Sequence, residues 1–328
     1  MKIILLGASG MIGHYLIDDL LKEGYEVVAV GRSSNAKPYY SMRGVQYIQV
    51  DITKPAEFCR LPQSGISAVV HLAAIMPANM KGYFPQRYFE INTLGTLNVL
   101  EFCRKTKVKQ IIYTQSHSDM GGYWGKKTIG AYDPYSIIYG NDHTAYIISK
   151  IAGLELIKHY HAQHQLSFAV FRCPNIYAHF PTSIYYVNGL PKEIGYRKMI
   201  RLAQQSKPLE IWGNSATRKD IVYVKDLNQM ICRALYKKIV AGIYNVATGR
   251  TTSLEEQVKG IVEVFSPENN PSAIIYRPEI KIKLNNHHYS IKNAIKDLDY
   301  KPQYYYKNML LDMKKEMQSD RFLYMNIK

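Results

Sequence analysis

A short apolar run, residues 3–6, leads directly into Gly7-Ala-Ser-Gly10-Met-Ile-Gly13 and from there into an amphipathic stretch that ends near Glu23. Three glycines at this spacing, between a strand and a helix, restrict the fold sharply. Gly7 permits the tight turn out of the strand, Gly10 lets backbone amides approach a pyrophosphate, and Gly13 lets the helix pack close to the sheet. The free amides and dipole at the helix N-terminus then face the anion. A dinucleotide-binding loop of Gly7, Ser9, Gly10, Met11, Ile12 and Gly13 is expected.

Further nearly continuous apolar runs predict strands over 27–30, 45–50, 68–72, 108–114 and 167–171, with helices over 11–23, 89–104 and 146–161 between them. Unalternating apolar strands separated by helices indicate an α/β fold, a doubly wound parallel sheet covered on both faces. Beyond residue 175 the order loosens. A loop with Pro181 and Gly189 precedes a helix near 196–205, strands over 209–212 and 221–224, and a helix opened by the capping box Ser253-Leu-Glu-Glu256. The expected division is a Rossmann domain over 1–175, rejoined by elements of 221–250, and a mainly substrate-binding α/β domain over 176–328.

Composition narrows the function classes. With 328 residues and 47% apolar content the chain buries a large core. Cys59, Cys103, Cys173 and Cys232 are too dispersed for a disulfide framework or a zinc site, and no metal is expected. Asp18 and Asp19 interrupt the apolar start, no run reaches membrane-spanning length, and a cytoplasmic protein without membrane association is predicted. A net charge of +16 raises nucleic acid as a partner, but the lysines are scattered rather than clustered, which argues against that role. His159, His161 and His164 read as helix C-terminal residues, and His287, His288 and the tyrosines 304–306 as outer surface.

The end of the second strand bears on the dinucleotide. An acidic residue there would bind the ribose hydroxyls of NAD, whereas this chain reads Val30-Gly31-Arg32-Ser33. Arg32 can pair with a 2′-phosphate, which favours NADP and leaves NAD possible; its alternative is a solvated loop residue stacked on adenine. Asp51-Ile52 either meets the adenine ring or caps a turn.

The second chemical signal is Tyr146-Ile-Ile-Ser-Lys150 in a helical stretch. Residues four apart share a helix face, so Lys150 can sit beside the Tyr146 hydroxyl or share a cofactor ribose with it. A neighbouring ammonium would draw the phenol towards neutrality as a proton-transfer group. Ser116, at the end of the 108–114 strand, is placed to hold the substrate oxygen.

These motifs, with His71-Leu-Ala-Ala74, Asn92 in a helix, Tyr113-Thr-Gln-Ser116, Arg172-Cys-Pro-Asn-Ile-Tyr177, Trp212-Gly213, the run 219–224 and the run 298–302, resemble the extended short-chain dehydrogenases/reductases. The group contains the nucleotide-sugar epimerases and dehydratases. The resemblance implies that Ser116, Tyr146 and Lys150 are catalytic. It also implies that Leu72, Ala73, Ala74, Asn92 and Pro174 line the cofactor. Asn175 would touch the sugar-nucleotide diphosphate, Trp212 would stack near the base, and Lys219 and Arg277 would contact phosphates. A homodimer built on the helices near 93–104 and 147–158 is a further implication.

Departures from the pattern narrow the reaction. His117 and Ser118 occupy the positions of the Asp-Glu pair of the 4,6-dehydratases, so dehydration is not expected and His117 becomes a substrate contact. His179, in the altered loop after Tyr177, reads as a packing or polar-contact residue, with a second acid as its alternative. The resulting expectation is hydride transfer at C4 of a nucleoside-diphosphate sugar, leaning to an NADPH-dependent 4-ketoreductase. The alternatives are a 4-epimerase holding NAD and, from another class, a non-catalytic NADP-sensing or RNA-binding protein.

Overall fold

Ile3, Ile4, Leu5 and Leu6 are all buried, whichever way their side chains point, because helices cover both faces of their strand. The structure, a computed structural model, describes residues 1–140, 143–187, 189–282 and 285–325. The chain begins β1 (Lys2–Leu6), α1 (Met11–Lys22), β2 (Glu26–Gly31), α2 (Lys37–Ser41), β3 (Gln46–Gln49) and β4 (Ile66–His71). There follow α3 (Pro85–Tyr88), α4 (Gly95–Lys105), β5 (Gln110–Ser116), α5 (His143–His164) and β6 (Ser167–Cys173). Next come β7 (Ile176–Tyr177), β8 (Ile184–Val187), β9 (Leu190–Glu193), α6 (Gly195–Gln204), β10 (Leu209–Trp212), β11 (Arg218–Asp220) and β12 (Val222–Tyr223). The remainder is α7 (Val224–Tyr236), β13 (Ala241–Asn245), β14 (Thr251–Ser253), α8 (Leu254–Phe265), β15 (Ile274–Arg277), α9 (Lys292–Leu298) and α10 (Tyr306–Glu316).

Seven strands form one parallel sheet in the order β13-β6-β5-β4-β1-β2-β3. Chain direction across the sheet reverses between β1 and β4, and the crevice beyond their carboxyl ends is where such sheets take ligands. On one face Ile3, Leu5, Val27 and Ala29 pack with residues of α1, α2 and α7; on the other Ile4, Leu6, Val28 and Val30 pack with α4 and α5. A third apolar cluster joins α6, α8, α10 and β10. The capping box that opens α8 is present, with Ser253 accepting from the Glu256 amide and Glu256 accepting from the Ser253 amide.

Several boundaries differ from the pattern-based expectation. The helix expected over 89–104 is two pieces, a π-helical turn Phe89–Leu94 and α4, and it is preceded directly by α3. Of the strand expected over 221–224, only Val222 and Tyr223 pair, and Val224 opens α7. His287 and His288 do not lie on an outer surface. The His287 carbonyl accepts from the Asp220 amide at 3.1 Å, and its ring meets His117, Trp124 and Tyr289. Tyr304 and Tyr306 pack on the third cluster, while Tyr305 remains exposed.

The residues after α10 return to α1. Arg321 donates to the Asp18 carboxylate, to Glu316 and to the His14 carbonyl, and its guanidinium lies 4.5 Å from the Tyr15 ring centre. Phe322 and Tyr324 cover the His14 ring, whose imidazole also bonds Gly10 O and the Tyr324 hydroxyl.

Candidate active site

The glycine loop needs its glycines for contact as well as for conformation. Gly7 has φ +82°, and a Cβ there would stand 2.6 Å from the Ala73 nitrogen and 2.8 Å from the Leu72 carbonyl carbon. The segment Leu72-Ala73-Ala74 therefore crosses directly over the turn, anchored by the Leu72 amide on Leu6 O. Gly13 abuts Ala8 backbone so closely that a Cβ would lie 2.5 Å from its oxygen. Gly10 caps α1 without any side-chain acceptor, which leaves the first-turn amides of Met11 and Ile12 facing outward. This cradle fits the pyrophosphate of a dinucleotide.

Around the adenosine end the side chains divide. Arg32 is exposed, and its backbone oxygen accepts from Gln49. Ser33 takes up its hydroxyl in capping the turn at Asn35. Asp51 is bound within its own turn, accepting from the Thr53 amide at 3.0 Å and hydroxyl at 2.8 Å. Burial works against its charge, yet the Thr53 hydrogen bonds and the nearby Arg32 charge hold the carboxyl below its ordinary value. Both Thr53 bonds fall on Oδ1 of the carboxylate. Ile52 packs against Gly95 at the head of α4.

Tyr146, Lys150 and Ser116 converge. The Tyr146 phenol and the Ser116 hydroxyl stand near enough to interact, bringing the end of β5 to the first turns of α5. Lys150 lies one turn further on, with its Nζ 3.9 Å above the Tyr113 ring rather than beside the phenol. Burial pushes Tyr146 up to about 12, against the opposing pull of the Ser116 hydroxyl, and pushes Lys150 down to about 7. The expected lowering of the phenol by a neighbouring ammonium is therefore not produced by the protein's own groups. Both side chains are desolvated, which disfavours phenolate and ammonium alike, and among the described residues no carboxylate pairs with Lys150.

Asn92 lies in the π-helical turn beside this group. Its side chain is enclosed, accepts from the Ile75 amide, and donates to Ile75 O and to Ser149 Oγ. With those bonds it ties the segment after β4 to α5 within the π-helical turn and acts by positioning. Two neighbours carried no signal in their spacing. Cys173, whose thiol burial raises to about 12, interacts electrostatically with both Tyr146 and Lys150. His71, pushed down to about 3 by burial and the Lys150 charge, holds Thr96 with Nε2.

Beside Ser116 a second polar cluster forms. His117 Nδ1 lies 2.7 Å from the Tyr289 hydroxyl, which also accepts from Trp124 Nε1 at 3.1 Å. The His287 ring stands 5.4 Å from that of His117, and Lys219 bridges to His287 through the backbone. Burial and the charges around them push His117 down to about 3 and His287 to about 4, while burial lowers Lys219. Trp212 and Arg277 are direct partners in the β10–β15 pair, both bound to Glu210. Pro174 is buried and Asn175 exposed just beyond β6. His179 packs edge-on to Phe322, and its carbonyl accepts from Tyr15, which fits the packing role. The helix-end histidines 159 and 164 stand with ring centres 6.4 Å apart, and no metal-holding group of three occurs among the described residues.

The model of the NAD dependent epimerase/dehydratase family matches residues 3–247. The chain belongs to that family. A UDP-glucose 4-epimerase of Bacillus subtilis is 25% identical over 294 residues, covering 82% of this chain and 83% of the relative. Two solved structures share the fold. The UDP-glucose 4-epimerase of Thermotoga maritima, solved with UDP-glucose, has a TM-score of 0.80 at 21% identity, covering 97% of this chain and all (100%) of that one. The UDP-glucose 4-epimerase of Thermus thermophilus, solved with NAD, has a TM-score of 0.76 at 20% identity, covering 98% and 100%. No helix among the described residues is long and apolar enough to cross a membrane.

Proposed function

We propose that this family member is a nucleoside-diphosphate-sugar 4-epimerase that retains its dinucleotide through the reaction. The observation that carries the reading is the convergence of Ser116 and Tyr146 at the carboxyl end of β5, with Lys150 one helical turn away. The epimerase relatives favour it over the ketoreductase to which the sequence alone leans. The glycine cradle, with Leu72, Ala73 and Pro174, would hold the dinucleotide. A bound nicotinamide supplies the acceptor and, on return, the donor of hydride at the sugar carbon.

The chain's own contribution is the proton. Ser116 would orient the reacting hydroxyl towards Tyr146 Oη, which, once ionised to the phenolate, takes that proton as the carbon is oxidised and gives it back when the carbon is reduced. Lys150, buried and close to neutrality, can hold a ribose hydroxyl by hydrogen bond and reinforce the phenolate whenever it is charged. Asn175, Lys219, Trp212 and Arg277 would bind the nucleotide diphosphate, with His117 at the sugar; the elements of 176–328 thus mainly serve the substrate. A homodimer through α4 and α5 fits the exposed Ile148 on α5 and the exposed Leu94 in the turn that leads into α4.

An NADPH-dependent 4-ketoreductase is the second reading, favoured by the exposed Arg32 and the absence of an acid at position 31. Incubation of the purified protein with a panel of UDP-hexoses, followed by NMR of the products, separates the two. An epimerase brings one C4 epimer to equilibrium with the other without net consumption of dinucleotide, and Tyr146→Phe lowers kcat by about 100-fold or more. Turnover that requires stoichiometric NADPH and a 4-keto sugar would replace the first reading by the second.

A further inference from the structure

Gly31, the last residue of β2, has its missing side chain directed at Tyr47 of the neighbouring strand. A Cβ at position 31 would lie 2.2 Å from the Tyr47 hydroxyl oxygen and 3.1 Å from Ser9 Oγ of the glycine loop. The phenol therefore fills the volume that a carboxylate at the end of β2 would need. It is not free to swing away. Its ring stacks on Tyr40 at 5.4 Å and 28°, Tyr40 is fixed by donation to Ala8 O, and the Tyr47 hydroxyl donates to Ser33 O at 2.5 Å.

The hydrogen-bond inventory leaves one acceptor position open. Tyr47 gives its proton to Ser33 O, and Ser9 Oγ faces the same space at Gly31 and can occupy at most one acceptor position of the phenol oxygen. A phenol oxygen has two lone pairs, so one remains for a further donor between Ser9 and Ser33, beside the pyrophosphate cradle. The nearby carboxylate of Asp51 is bound by Thr53, and Arg32 stands exposed next to Gly31.

We propose that Tyr47 reads the adenosine ribose in place of an acidic residue at position 31, so that the site accepts a free 2′-hydroxyl and a 2′-phosphate alike. The 2′-hydroxyl of NAD donates to the Tyr47 oxygen. A 2′-phosphate meets a neutral phenol instead of a carboxylate and pairs with Arg32. This inference rests on the dinucleotide-dependent reading above.

The test is titration of the full-length protein, stripped of bound dinucleotide, with NADH and NADPH by nicotinamide fluorescence. The wild type binds both, with Kd values within about tenfold of one another. Tyr47→Phe weakens NADH by about threefold to tenfold and leaves NADPH unchanged, the loss expected for one neutral hydrogen bond. Arg32→Ala does the reverse, weakening NADPH by about tenfold or more. The double variant Gly31→Asp/Tyr47→Ala, which exchanges phenol for carboxylate in the same volume, keeps NADH and loses NADPH. Equal weakening of both dinucleotides by Tyr47→Phe, no effect on either, or an unchanged ratio in the double variant overturns the proposal. Failure of the wild type to bind either dinucleotide overturns it together with the reading on which it rests.

Discussion

Nε of Arg172 lies 3.1 Å from each carboxylate oxygen of Asp119, in a pair with almost no exposure. The guanidinium also donates to Ala131 O at 2.9 Å and to Asn245 Oδ1 at 3.0 Å, so one side chain fastens the segment after β5, β6, β13 and the chain near residue 131. This knot lies under Ser116 and Cys173, the residues that end the two strands at the chemistry.

Removing one partner of such a pair leaves a charge buried without compensation. Arg172→Met is expected to destabilise the fold by about 3–5 kcal/mol, and Arg172→Met/Asp119→Leu by less than the single change. Urea denaturation of the three proteins decides it; a double variant no more stable than the single one would show that the carboxylate is not held by the guanidinium.

Lys150 is a cost to the fold. Its value of about 7 lies below the 10.5 of a free lysine, so between those limits the unfolded chain binds the extra proton and stability rises with pH. Below pH 7 the cost is complete. Lys150→Met should raise Tm at pH 6 by about 2 °C or more, and the gain should shrink towards pH 10 while activity is lost. A lower Tm at pH 6 would mean that the ammonium is stabilised in place.

His14, His71, His117 and His287 are pushed down to about 4, 3, 3 and 4. Each is neutral when folded and charged when unfolded as pH falls through 6.5, so folding loses up to about 1.4 kcal/mol per pH unit for each histidine between pH 6.5 and 4. The urea midpoint should drop between pH 7 and pH 5, and His71→Asn should flatten the slope. A midpoint independent of pH over that range contradicts the burial of these rings.

Gly153 lets α5 approach the sheet: a Cβ there would meet the Tyr113 hydroxyl at 2.7 Å and Asn92 O at 2.9 Å. Gly153→Ala should cost about 1–3 kcal/mol and lower kcat more than it raises KM, because it shifts the helix that carries Tyr146 and Lys150. Gly195→Ala, with nothing near the new methyl group, should stay within about 0.5 kcal/mol and serves as the control.

The sheet was readable from sequence because its strands are buried on both faces and its glycines answer to fixed steric demands, as Gly7 and Gly13 show. The meeting of Ser116 with Tyr146 was readable because each sits at the end of a regular element or within one. What was not readable depends on pairings that no local period encodes. The bonds of Asn92 to Ile75 and Ser149 join separate elements. Tyr47 carries no signal of its own in the sequence, because its hydroxyl reaches Gly31 diagonally across the β2–β3 pair. His287 lies in an irregular segment whose inward position is set by bridges to Lys219 and, through Tyr289, to Ile129. The direction of the Tyr146 and Lys150 shifts could not be read either, since spacing reports proximity and says nothing of solvent exclusion.

Asp18 and Arg321 meet although 303 residues separate them. A chain that leaves the ribosome amino end first therefore makes α1 long before it makes the flank that covers His14 and Tyr15. Throughout translation the outer side of the dinucleotide cradle must wait bare or be shielded by a chaperone. A protease that clips the chain just after Glu316 would return the finished molecule to that nascent condition without touching a single residue of the reaction centre.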